Sequence, residues 1–199
     1  MKKLSRADLW SLEEYAERRP AFRAQVIAHK KLRQVALDEH ARLYFEDETT
    51  VRYQIQEMLR IEKVFEAQGI EDELEAYNPL IPDGSNWKAT FMLEYDDPQE
   101  RQRRVTQLIG IEDKVWVQVE GCDRVYAIAD EDLSRDDGTK TSTVHFLRFE
   151  LTRDMVSAVR IGAAIRAGID HPGLPVAGLG LPDPVRAALA ADLVQPATH

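Results

Sequence analysis

The side chains of this sequence best suited to chemistry are Gln54, Glu57, Glu62, Tyr77, Asn78, Asp83, His145 and Arg148. Glu57, Glu62, Asp83 and His145 together offer oxygen and imidazole donors, a mixed set that suits a divalent metal such as Fe, Mn or Zn. Gln54, Tyr77, Asn78 and Arg148 offer amide, phenol and guanidinium groups for holding a cofactor or other organic ligand. Glu62 stands out, because it is a carboxylate where the pattern asks for an apolar residue. No residue receives a catalytic role.

The stretch from Asp47 to Gly69 must position three of these groups. At about 100° per residue, Val51, Ile55, Met58 and Phe65 form one apolar stripe, while Arg52, Gln56, Arg60 and Lys63 gather opposite. Asp47 supplies a start signal and Gly69 a stop. On the same wheel Glu62 falls about 20° from the centre of the stripe, and Gln54 lies one helical row from Met58. An ionised carboxylate in a core needs a partner, since leaving it unpaired costs several kcal/mol. Two pairings are open. An ion pair with Arg148 would serve the fold alone, whereas a meeting with His145, with Asp83 or Glu57 nearby, would build a metal site. The ion pair is the plainer of the two.

The remaining elements follow from pattern. Ser5 to Arg19 predicts a helix ended by Pro20, and Ala21 to Leu32 a second one, so residues 1–32 form a basic helical arm. Gln34 to Leu37 and Arg42 to Phe45 predict a hairpin leading into the central helix, with His40 in its turn. After a short acidic helix, Glu71 to Tyr77, the run Asn78 to Asn86 carries two prolines and a glycine and predicts a fixed loop. Trp87 to Tyr95 alternates cleanly, with Trp87, Ala89, Phe91, Leu93 and Tyr95 on one face. Asp97 and Pro98 open a helix closed by Gly110. Lys114 to Glu120 and Arg124 to Ala129 predict a hairpin about Cys122, and Asp130 to Thr141 a polar excursion. In Ser142 to Leu151 the inward row is Thr143, His145, Leu147, Phe149 and Leu151, with Arg148 among Val144 and Phe146 opposite. Thr152 caps a long helix expected to run through Arg166 to Gly168. Pro172 to Pro182 reads as a linker, and Val185 to Val194 as a helical tail. The sum is an α+β fold: a mostly antiparallel sheet packed on a long central helix with helical ends. Residues 1–171 form the domain and 172–199 the linker and tail.

Composition narrows the function. A chain of 199 residues with a net charge of −9 and no concentrated basic face is a poor match for nucleic acid. No apolar run follows the amino-terminal lysines and none reaches the length of a membrane span, which points to a cytoplasmic protein without a membrane partner. Cys122 is the single cysteine, so this chain alone holds no disulfide, cysteine zinc cluster or iron–sulfur cluster. Glycine-rich phosphate loops, a His-Glu-x-x-His helix and the Glu-x-x-His pairs of di-iron bundles are missing as well.

Four runs, Val51 to Glu62, Ala76 to Gly84, Asn86 to Thr90 and Val144 to Glu150, resemble a bacterial family of uncharacterised proteins. The likeness extends over most of the chain up to Pro172. Members of that family tend to be encoded beside rubrerythrin and an iron–sulfur subunit similar to those of heterodisulfide reductases. The resemblance therefore implies a redox or peroxide-stress setting and transfers no catalytic residue. It leads to an accessory protein that docks rubrerythrin or an iron–sulfur oxidoreductase subunit through the basic arm or the tail. Two other readings stand beside it: a divalent-metal protein or small metal enzyme built on Glu62 and His145, and an oligomeric module with an apolar ligand pocket under the proline loop, next to Tyr77 and Trp87.

Overall fold

The computed structural model describes residues 2–131 and 138–194. The α+β class is as the sequence predicts, but the strands divide between two antiparallel sheets. In the five-stranded sheet the order is β1 (Gln34–Ala36), β2 (Ala41–Phe45), β3 (Asn86–Leu93), β7 (Val144–Glu150) and β6 (Ile128–Ala129). The four-stranded sheet runs β5 (Arg124–Tyr126), β4 (Val115–Val119), β8 (Ile165–His171) and β9 (Leu174–Gly180). The predicted hairpin at Cys122 forms between β4 and β5, and the chain then changes sheets, so that β6 pairs with β7 instead.

Alternation of side chains gives the five-stranded sheet one apolar face. Leu43, Phe45, Trp87, Ala89, Phe91, Leu147 and Phe149 join Val115, Val117, Val119, Ile165 and Ile169 of the other sheet in a single core. Two helices complete it: α5 (Arg153–Arg160) contributes Met155, Val156 and Val159, and α6 (Asp183–Ala191) contributes Val185 and Leu189. The predicted tail therefore packs on the domain. Trp87 donates its indole N–H to the Leu189 carbonyl at 3.0 Å, which satisfies a buried donor on the apolar face.

The central helix is α2 (Glu48–Glu62), flanked by α1 (Leu12–Lys31) and α3 (Ala67–Tyr77). Asp47 caps it by accepting from the Thr50 amide, as the sequence predicts. Its apolar row is Val51, Ile55 and Leu59 at i, i+4 and i+8, packed with Leu4, Leu74 and Ile81 in a small cluster of its own. The helix thus belongs to a helical layer whose core is separate from that between the sheets.

Several elements differ from the sequence reading. Pro20 lies inside α1 and does not divide it; a proline there removes one helical hydrogen bond, yet the aromatic cluster of Trp10, Tyr15, Phe22 and Tyr53 spans both sides of it and holds the helix together. α2 stops at Lys63, which adopts a left-handed conformation with φ of 55°. Phe65 consequently leaves the stripe and is exposed, and Gln56, expected outside, is buried with its amide bonded to both backbone groups of Trp10. The helix after Thr152 ends at Arg160, and after a short turn the chain from Ile165 to His171 forms β8. Most of the expected linker from Pro172 to Pro182 is the edge strand β9, paired with β8. Residues 132–137 of the polar excursion lie outside the described residues.

Candidate functional site

The face of the five-stranded sheet that points away from the core is polar, and the proline loop closes over part of it. Lys88 on β3 and Arg148 on β7 are direct cross-strand partners, so alternation projects both cations from the same face. Over them lie the end of α3 and the 3-10 turn Asn78–Leu80. Together they enclose a cavity of about 280 Å³, whose walls include Tyr77, Pro79, Leu80, Phe146 and Glu131 beside the two cations. Arg148 is held on both sides. Its Nε and Nη2 donate to the Glu131 carboxylate at 2.8 and 2.7 Å, and Nη1 donates to Glu150. Lys88 donates to the Pro79 carbonyl. Burial lowers the Lys88 ammonium from its usual range, and the neighbouring Arg148 lowers it further. An anion in this cavity would offset both penalties.

A second constellation lies on the opposite face of β7. His145 is completely buried, and its ring touches groups from three separate segments. Nδ1 lies 2.6 Å from Asp130 Oδ2, at the end of β6. Nε2 lies 2.8 Å from Thr141 Oγ1, 3.1 Å from the Ser142 carbonyl and 3.8 Å from Glu112 Oε2. Glu112 comes from the 3-10 turn Ile111–Lys114, and the Thr141 hydroxyl donates to it at 3.2 Å. Asp130 uses its other oxygen to accept from the Phe146 amide. Consecutive residues therefore grip the two faces of one strand: Asp130 holds His145 inside and Glu131 holds Arg148 outside.

The predicted site residues divide accordingly. Tyr77 and Arg148 line the cavity. Trp87, placed beside that pocket by the sequence reading, is buried on the core face of the sheet instead, and the cavity carries charges the reading did not give it. Asn78 is committed to the amino-terminal stretch, exchanging two 2.8 Å hydrogen bonds with the backbone of Leu4. Gln54 donates to Glu46, a buried carboxylate that also accepts from Thr50 and Thr90. Of the four expected metal ligands, the structure does not bring any two together. Glu62 is exposed in the last turn of α2, beyond Leu59, where the buried row of the helix ends. It meets neither Arg148, whose carboxylate partners are Glu131 and Glu150, nor His145. Glu57 is bound by Tyr15 and Arg19, and Asp83 caps its own turn by accepting from the Ser85 amide and hydroxyl. Among the described residues, His145 alone of the four sits in a group of potential metal donors, with Glu112 and Asp130.

Sequence reasoning missed Lys88 in the cavity and Glu112, Asp130 and Thr141 around His145. The alternation in Trp87 to Tyr95 already put Lys88 on the outer face. Its pairing opposite Arg148 depends on strand register, which no local pattern encodes.

Among the described residues no helix is long and apolar enough to cross a membrane. No curated protein matches the chain. A solved structure from Burkholderia pseudomallei K96243, described as a novel protein of unknown function, is 51% identical to it and superposes with a TM-score of 0.93, covering 97% of this chain and 100% of that one. The model of the family described as "Protein of unknown function (DUF3501)" matches residues 3–193. With nearly its whole length matched and its fold shared with the Burkholderia protein, the chain belongs to the DUF3501 family.

Proposed function

We propose that this protein binds a small organic anion, a carboxylate with a compact apolar body, in the cavity beneath the proline loop. The observation that carries the reading is the pair Lys88 and Arg148, set side by side on neighbouring strands within apolar walls. A cavity of about 280 Å³ is near the lower end of small-molecule sites, which run from about 300 Å³ upward. Phe146 and Tyr77 offer faces for a ring or a branched chain. Arg148 is fixed and largely neutralised by Glu131 and Glu150, so it orients the site. Lys88, half-buried with only a carbonyl oxygen as its hydrogen-bond partner among the described residues, is the cation that gains most from an incoming carboxylate.

Such a protein would work as a ligand-responsive accessory and not as a catalyst by itself. The redox or peroxide-stress setting, with rubrerythrin or an iron–sulfur subunit as partner, remains the inference from the family resemblance. Thermal shift and calorimetric titration with benzoate and phenylacetate, against benzylamine as the matched cation, test the anion reading. The carboxylates are expected to raise the melting temperature and the amine to leave it unchanged, and Lys88→Met should abolish the response. Equal binding of acid and amine, or carboxylate binding that survives in K88M, would sink the reading.

A further inference from the structure

We propose that Glu112, Thr141, Ser142 and His145 bind one divalent first-row cation on the core side of β7, with Asp130 steadying the imidazole from behind. The inference is independent of the cavity, which lies on the other face of the same strand.

Spacing is the first argument. Around a metal with ligand bonds of about 2.1 Å, neighbouring donors stand about 3.0 Å apart in an octahedron and about 3.4 Å apart in a tetrahedron. The separations here are 2.8 Å from His145 Nε2 to Thr141 Oγ1, 3.1 Å to the Ser142 carbonyl and 3.8 Å to Glu112 Oε2. Thr141 Oγ1 and Glu112 Oε2 are 3.2 Å apart. Four donors from two segments of chain thus bracket the edges of a coordination polyhedron. Behind them, Asp130 Oδ2 at 2.6 Å from Nδ1 supplies the carboxylate that metal-bound histidines commonly donate to.

The second argument is independent of spacing and concerns burial. His145, Thr141 and Glu112 are 0%, 3% and 7% exposed, and Glu112, Asp130 and His145 each bring a potential ligand atom within 4.8 Å of the others. A carboxyl group and an imidazole gathered out of water in this way gain from a cation held between them. One imidazole with three oxygen donors and no thiolate favours Mn²⁺ or Fe²⁺.

The test uses the full chain, purified without a histidine tag, stripped with chelator and titrated with Mn²⁺ alone. Free Mn²⁺ is followed by electron paramagnetic resonance, and the bound ion by pulsed measurements of nitrogen coupling. One tight equivalent with coupling to a single imidazole is expected. Glu112→Gln should weaken it at least tenfold, in line with losses at metal sites, while Asp83→Asn leaves it unchanged. Folded wild-type protein that takes up no Mn²⁺ would overturn the proposal. So would bound ions without nitrogen coupling, the signature of loose attachment to an acidic surface, or an affinity that E112Q does not alter. Should E112Q fail to fold, the nitrogen coupling of the wild-type protein decides alone.

Discussion

Glu57 receives the Tyr15 hydroxyl at 2.6 Å and two nitrogens of Arg19 at 2.7 and 2.9 Å. Hydrogen bonds from Arg19, reinforced by Tyr15 against the cost of burial, hold its carboxyl down at about 2. A depressed folded-state value means stability that is fully present above the unfolded value of 4.5 and is lost as pH falls toward 2. Glu57→Gln is therefore expected to cost about 2–3 kcal/mol at pH 7. The gap to wild type should close on acidification, as followed by melting temperature from pH 7 to 2.5. At this scale the sequence was readable in part. That Glu57 lies on a helix was plain, but its partner is 38 residues away on α1, a helix that the proline seemed to divide. His145 was placed correctly on the inward row of its strand, while its neighbours are gathered by a change of sheet that no local pattern records.

Elements with strong alternation were the most legible. β3 and β7 carry the faces that the sequence assigned to them, because a period of two leaves a half-buried strand little freedom. β8 was the opposite case. Arg166 and Ala167 are good helix formers, yet they lie in a strand because β4 and β9 pair with it on both sides. Gly168 marks the place where that pairing is tightest. A Cβ there would lie 2.4 Å from the Trp116 ring and 2.6 Å from the Val176 carbonyl, and neither the packed indole nor the backbone can give way cheaply. Gly168→Ala should destabilise the protein by about 3 kcal/mol or more, measured as a shift in the denaturant midpoint. Gly180 on β9, with no atom within 4 Å of the equivalent position, serves as the control.

At the scale of the whole molecule, a buried charge network ties the helical layer to the last helix. Arg33 donates to the carbonyls of Phe45 and Glu46 and pairs with Asp192, while Asp47, also near Arg33, lies 2.5 Å from His29 Nε2. Burial pushes the Asp192 carboxyl up to about 6, against the pull of Arg33. A raised folded-state value contributes stability that is complete below the unfolded value of 3.8 and is lost as pH rises through about 6. Glu57 and Asp192 thus act in opposite directions, and between them they favour mildly acidic conditions. In a stability profile from pH 3 to 8, Asp192→Asn should flatten the limb around pH 6, with Arg33 still anchored by its two carbonyl bonds; a D192N profile that falls through pH 6 as steeply as wild type would contradict this.

The same pair has a consequence for how the chain is made. Arg33 precedes Asp192 by 159 residues. At about 5–20 residues per second the ribosome reaches the carboxylate roughly 8–30 s after the guanidinium. Trp87 likewise waits for the Leu189 carbonyl, 102 residues downstream. During that interval the first strands and the central helix can collapse but cannot close, and both waiting donors have to keep water as a substitute partner. The final helix is a bolt thrown last, and the emerging polypeptide stays exposed to chaperones and proteases until it arrives.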